Sequence, residues 1–419
     1  MLINITVENF RSFNEAQTLS LIASSNDGIS SFQIDDLEIR KSAVIYGANA
    51  SGKSNFIKSL SALQNILSGD ANIDFGNLYQ PFYGINLPSR VSLDFIVKQH
   101  IYTYTVSYNR YGICSEELLN KDKSIIYSRR LKQEFLNSPN ESDYQYDYVV
   151  PNPELILTED QLELQHQYIP FWQGTTNQKQ LFLYKSVNEH RCEKLKPIYE
   201  ALFNQKLIIR VNPYYVGRAN LANQDWIYAN DYYAKNNYGE IIKELNALGV
   251  NISRLEIKNV SPVMINGSLH NRILNSIYKV GEKEFGQNFV NMESDGTIKF
   301  FNYFAIVDKL LEDGGVLIVD EFDVHFHQLL LEKIIRVINM NSKNNVQLIF
   351  TTHSSSLLDA DLFEDDQIYF VDKNDKGYSE FYTLKDIKSP EGNGDNRQNK
   401  YLAGKFGSIP HLNSLLSKR

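Results

Sequence analysis

One octapeptide limits what this chain can fold into more than any other feature. Gly47-Ala-Asn-Ala-Ser-Gly-Lys-Ser54 matches the pattern G-x-x-x-x-G-K-[ST]. Its glycines let the backbone wrap around phosphate groups, and the helix that must come next presents free amides to negative charge. The flanks agree. Residues 42–46 (Ser-Ala-Val-Ile-Tyr) form a short apolar strand, and Phe56, Ile57, Leu60, Leu63, Ile66 and Leu67 recur at helical spacing. A chance match in a glycine turn would lack that context. Lys53 is the expected partner of the β- and γ-phosphates of ATP, and the Ser54 hydroxyl of Mg2+. Gly47, Asn49, Ala50, Ser51, Gly52 and Asn55 complete the expected cradle.

Two later segments supply what such a cradle needs. Gly315-Val-Leu-Ile-Val-Asp320-Glu321 places two carboxylates after a run of apolar residues. Beside a phosphate loop, Asp320 is suited to support the metal and Glu321 to orient the attacking water. Standing alone, the segment would read as a buried strand running into an acidic loop. Val346-Gln-Leu-Ile-Phe-Thr-Thr-His353 ends a strand in a histidine that fits a switch sensing the γ-phosphate. A lone histidine in that place is more often structural. The order of phosphate loop, Asp-Glu pair and histidine, each at a strand end, favours the functional reading. Gln80, ahead of Pro81-Phe82, is the candidate for a further metal contact.

Ser54 and Asp320 lie too far apart in sequence for a minimal phosphate-loop domain, so an insertion must divide the core. Just upstream of the Asp-Glu strand, Glu293-Ser294-Asp295-Gly296-Thr297 opens a helix-like stretch. Ser-x-Gly at a helix start can bind an anion, although Ser294 would serve equally well as an ordinary N-cap. Residues 2–7, 91–97 and 101–108 alternate in antiparallel fashion, whereas the apolar strands near 316–319 and 346–350 imply a covered parallel sheet. The expected organisation is an α/β head with a mixed sheet core and an antiparallel β subdomain. Residues 1–120 and 286–388 would form the head, 121–285 a mainly helical insertion, and 389–419 a tail.

With 42% hydrophobic and 22% charged residues the composition is that of a globular chain. The net charge of −8 gives no indication of nucleic-acid binding, which would need a local basic patch. The densest basic stretch is Lys121–Lys132, more simply read as a solvated face. Cys114 and Cys192 stand far apart, which excludes a disulfide framework and a cysteine zinc site. No leader-like or membrane-spanning segment is recognised, so a cytoplasmic protein without a membrane partner is expected. His325 and His327 lack a third metal ligand nearby. The aromatic segment from Tyr214 to Tyr238, with Trp226, reads as packing before partner surface.

With these residues in place, the chain resembles the ABC-class ATPases related to RecF and SMC heads. More narrowly it resembles the AAA-labelled ATP/GTPase family that includes RloA-like ATPases of restriction-linked phage defence. The likeness is carried by Asn9-Phe-Arg-Ser-Phe13, Asp320-Glu-Phe-Asp-Val-His-Phe-His327, Thr352-His353-Ser354 and Tyr401-Leu-Ala-Gly-Lys-Phe-Gly-Ser-Ile-Pro410. Gln328 stands where that family usually has proline, and Met292-Glu293 replaces the leucine expected before Ser294. The resemblance implies an ABC-type head that pairs with a second copy, head to tail. ATP would lie between the phosphate loop of one copy and Ser294 and Gly296 of the other. The output would pass to a separately encoded effector such as a nuclease or toxin in antiviral defence. The alternative is a RecF-like DNA-repair or DNA-end-binding clamp.

Overall fold

Strands that read as unbroken apolar runs need cover on both faces, and the chain supplies it around a parallel sheet. The structure is a computed structural model and describes residues 1–24, 30–136, 144–163, 165–203, 206–210, 229, 232–233, 235, 238–265, 268–324, 326–341, 343–359, 361–387 and 396–409. The chain divides into two compact units. The first comprises Met1–Val211, Gly315–Glu321 and Glu332–Arg419, and the second Asn212–Gly314 and Phe322–Leu331.

The first unit holds two large sheets. Its antiparallel sheet is built from β1 (Leu2–Glu8), β2 (Gln17–Ser20), β6 (Ser89–Val97), β7 (His100–Asn109), β8 (Gly112–Asn120), β9 (Ile125–Leu131) and β10 (Tyr146–Val149). The order is β10-β9-β8-β7-β6-β1-β2. The β6–β7 hairpin turns through Lys98 and Gln99, both at positive φ (47° and 70°), as a two-residue turn that matches strand twist requires. A small hairpin of β3 (Ser31–Ile34) and β4 (Leu37–Arg40) leads into the core.

The core sheet contains β5 (Ser42–Tyr46), β11 (Leu207–Arg210), β15 (Gly315–Val319), β16 (Val346–Thr351), β17 (Ile368–Lys373) and β18 (Ser379–Thr383). Its order is β11-β15-β16-β5-β17-β18; all neighbours are parallel except the last pair. Every residue of β5, β15 and β16 is buried. The one strongly polar side chain in β16, Gln347, joins the two sheets. It accepts from Leu2 N at 2.7 Å and donates to Leu2 O and Arg40 O at 2.9 and 3.1 Å. The helix Lys53–Leu67 buries Ile57, Leu60, Leu63 and Leu67, and Gln64 reaches the edge strand at Leu207 O, 3.0 Å.

The segment 121–285 departs from the mainly helical insertion expected of it. Its first strands, β9 and β10, extend the antiparallel sheet, and β11 enters the core sheet. Short helices do come after β10, at Gln165–Thr175, Phe182–Asn188 and Lys196–Leu202. The strand signal is hidden because polar groups here sit inside. Glu116 and Arg129 are fully buried as an ion pair, Oε2 to Nε 3.0 Å. Glu116 also accepts from Tyr104, Tyr127 and the amides of Phe182 and Leu183, while Arg129 donates to Asn177 O and Gln180 O. Lys121 and Lys123 pair with Asp35 and Asp94 at 2.9 and 3.3 Å. Of the basic run, Arg129 is buried, while Lys121 and Lys123 stay at the surface in ion pairs.

The second unit contains the helix Gly239–Ala247, a sheet of β12 (Arg254–Ile265), β13 (Ser268–Val280) and β14 (Lys283–Asn288), and the helix Asp295–Asp313. Phe301 packs against Tyr233 and Phe289 at centroid distances of 4.9 and 5.1 Å. Most of the aromatic segment 214–238, including Trp226, lies outside the described residues, as do His325 and Pro410. The rest of the tail motif docks on the core sheet. The Tyr401 ring lies 5.6 Å from Tyr46 and 5.8 Å from Phe370, and Ser408 N donates to Asp372 at 2.9 Å. No helix among the described residues is long and apolar enough to cross a membrane.

Arg40 forms a bidentate pair with Asp366, 2.9 and 3.0 Å, and Ser24 N adds a third bond at 2.6 Å. Burial raises the Asp366 pKa, but Arg40 and Ser24 outweigh it and hold the carboxyl below its ordinary value. A depressed carboxyl stabilises the fold fully above the unfolded value of about 4 and ceases to do so as pH falls through the folded value. Asp366→Ala should cost about 3 kcal/mol at neutral pH by taking the carboxylate partner from a buried guanidinium. In thermal melts, the gap between wild type and variant should narrow below about pH 4.

Candidate functional site

Register makes the site. Phe350 pairs with Val319 on one side and Val44 on the other, so β15, β16 and β5 end at one edge of the sheet. Three segments therefore leave the sheet together: Asp320-Glu321, Thr352-His353, and the loop 47–54. The carboxyl edge of a parallel sheet is where such folds bind ligands.

The phosphate loop is built as its sequence requires. Gly47 and Gly52 have φ of 159° and 127°, and Ala50 sits at 64°. A Cβ at Gly47 would lie 2.6 Å from Val371 O, and one at Gly52 would collide with Ser379 Oγ and stand 2.9 Å from Ser12 Oγ. The helix starting at Lys53 has Gly52 as its cap, a residue with no side chain to bond the first amides, and such a helix start favours an anion. Lys53 Nζ donates to Gly47 O and Ala48 O at 2.7 and 3.2 Å. Ser51 Oγ is buried without a hydrogen-bond partner. Asn49 and Ala50 are exposed, and Ser54 and Asn55 are half-buried at the helix start.

Asp320 is 2% exposed, and its amide donates to Arg210 O at 2.9 Å. Glu321 adopts φ 51°, a left-handed conformation rare for its residue type, and its Oε2 is buried without a partner. Thr351 Oγ1 bonds both residues, Asp320 Oδ1 at 2.7 Å and Glu321 N at 2.7 Å. Next along the chain, Thr352 N donates to Ile45 O and Tyr46 OH to Ser354 O, both at 3.2 Å. These bonds tie the switch segment to the phosphate-loop strand and leave His353 exposed.

Sequence reasoning missed the brace around this loop. In Asn9–Phe13, a tight turn holds Arg11 at φ 51°. Arg11 reaches Asn55 Oδ1 at 3.5 Å, and Asn55 donates to Ser12 Oγ at 2.8 Å. Ser379, on β18, donates to Ser51 O at 2.5 Å. The first motif is visible as a resemblance, whereas nothing in the sequence marks Ser379. Gln80 donates its side-chain amide to Asn77 O at 2.9 Å, while its backbone carbonyl accepts from Arg11 N at 2.6 Å. Through Arg11 it supports the brace.

Ser294 and Gly296 belong to the second unit. Ser294 is an exposed N-cap, its Oγ accepting from Thr297 N at 3.1 Å, and Gly296 lies half-buried in the first turn. Glu293 is buried and accepts from Ser276 Oγ at 2.8 Å and from Tyr278 OH. Burial, reinforced by Glu293, pushes the Tyr278 phenol up to about 12. His327 Nδ1 accepts from Leu329 N at 3.3 Å.

A family model described as "AAA domain, putative AbiEii toxin, Type IV TA system" matches residues 42–145 and 193–359, more than half of the chain. The chain belongs to this AAA-domain family. The matched residues include the whole phosphate loop, Ser294, Gly296, Asp320, Glu321 and His353. Among solved structures, the SmcHead bound to the C-winged helix domain of ScpA is 14% identical, with 91% of this chain and 97% of that chain covered and a TM-score of 0.43. The SMC head domain from Thermotoga maritima is 13% identical, with 91% and 98% covered and a TM-score of 0.35. No curated protein matches the sequence.

Gly52→Ala should weaken nucleotide binding about tenfold or more, since both the backbone angle and the neighbouring hydroxyls oppose a Cβ. Titration with a fluorescent ATP analogue measures the loss, and an unchanged melting curve would place it in the loop.

Proposed function

We propose that this chain is a Mg2+-dependent ATPase of the ABC class that closes with a second copy, head to tail. Hydrolysis would then drive or regulate a separately encoded effector, a nuclease or toxin, in antiviral defence. The observation that carries the ATPase reading is Glu321. A carboxylate oxygen, buried and unpartnered at the strand end beside a phosphate loop, fits a group waiting for a polar reactant.

The residues fit ATP and Mg2+. Amides 51–54 and Lys53 would hold the phosphates, and Ser54 and Asp320 the metal. Bound there, Mg2+ would neutralise charge on the transferring phosphoryl group. Glu321 would hold the attacking water and take its proton. His353, exposed after β16, would meet the γ-phosphate. Ser294 and Gly296, at the start of a long helix, would complete the phosphate contacts across a dimer. The family description, which names a putative toxin and a type IV TA system, supports the link to a toxic output. Against a DNA clamp weighs the basic run, whose Arg129 is buried and whose Lys121 and Lys123 are ion-paired.

The decisive measurement is the mass of the purified protein with ATP and Mg2+. Glu321→Gln should accumulate an ATP-dependent dimer or tighter assembly, and adding Ser294→Arg should abolish it. If no variant changes mass with ATP, the head-to-tail mechanism fails. ATP-dependent, salt-sensitive DNA binding would instead favour the clamp.

A further inference from the structure

We infer that Thr351 is a positioning residue for hydrolysis, holding both carboxylate-bearing residues of the site through one hydroxyl. The inference rests on the ATPase reading above. β16 is buried throughout, and Thr351 is 0% exposed in a run whose other side chains, Gln347 apart, are apolar. Valine has nearly the same shape and would avoid desolvating a hydroxyl, so the oxygen needs a reason.

Its partners supply one. An amide can only donate, so Glu321 N gives its hydrogen to Thr351 Oγ1 at 2.7 Å. The hydroxyl proton is then directed to Asp320 Oδ1, also at 2.7 Å. One side chain thus fixes an oxygen of the metal-supporting carboxylate and the backbone of the residue that orients water. The second bond matters because Glu321 sits at φ 51°, a conformation its own side chain disfavours. Without that anchor the backbone is free to relax, and the Glu321 carboxylate moves with it. Thr351 touches neither phosphate nor water in this account; it acts through Asp320 and Glu321.

The test uses the full chain carrying Thr351→Val or Thr351→Ser. Phosphate release gives kcat, and titration with a fluorescent ATP analogue gives affinity. The valine variant should lose about 10- to 100-fold in kcat, the usual effect of removing a group that orients a reactive residue. Its nucleotide affinity should stay within about threefold of wild type. The serine variant, which keeps the hydroxyl, should recover most of the rate. Placed on Glu321→Gln, Thr351→Val should leave the ATP-dependent assembly intact. A valine variant with wild-type kcat overturns the inference. So does one that loses affinity and rate together, or a serine variant no better than valine, since each points to packing. A wild-type chain that binds ATP but never hydrolyses it removes the ATPase reading itself, and the role assigned to Thr351 with it.

Discussion

The site depends on the level at which three parallel strands end. Hydrogen-bond register between β15, β16 and β5 is a property of the backbone, yet it decides whether Asp320, Thr352 and Gly47 leave the sheet at one edge. Burial enforces it. With every residue of the three strands enclosed, a slip of one position would carry Gln347 away from Leu2 and Arg40. Gln347, which does enter this interior, has its amide oxygen and nitrogen both bonded, and it locks the register that apolar packing alone would leave looser.

A second theme is that charge inside the first unit is used for joining. Glu116 gathers a guanidinium, two phenols and two helix amides, so that strands β7, β8 and β9 and the helix Phe182–Asn188 meet on one carboxylate. Such a cluster contributes to stability only when every member is satisfied. Arg40 and Asp366 play a similar part where β4 approaches β17. Around the phosphate loop the opposite holds. Ser51 Oγ and Glu321 Oε2 are buried there without partners.

The chemistry is legible in the sequence because phosphate binding needs a particular local pattern. Glycines at 47 and 52, Lys53, and carboxylates after an apolar run are short-range signals, and these residues stand at strand ends along one edge of the sheet. The parallel core is legible too, from continuous apolar strands. The segment 121–285 is not. Its strands β9, β12 and β13 carry lysine, arginine, asparagine and serine at positions where simple alternation expects apolar residues, and Arg129 is buried only because Glu116, on another strand, neutralises it. Ser379 and Thr351 escape for a related reason. Their roles arise from residues distant in sequence that pairing brings together, and no spacing along one strand announces them.

The same pairing has a consequence for synthesis. The strand leading into the phosphate loop, β5 at Ser42–Tyr46, lies between β16, at Val346–Thr351, and β17, at Ile368–Lys373. A ribosome must therefore make most of the chain before the loop has a sheet to stand on. Contacts so remote in sequence are slow to form, and domains emerge from the ribosome amino-terminus first. The antiparallel sheet from β1 to β10 can assemble early, as its strands lie within the first 149 residues. The nucleotide site is then among the last parts to be completed. A truncated product lacking β16 and β17 would carry the full phosphate-loop sequence without the frame that shapes it.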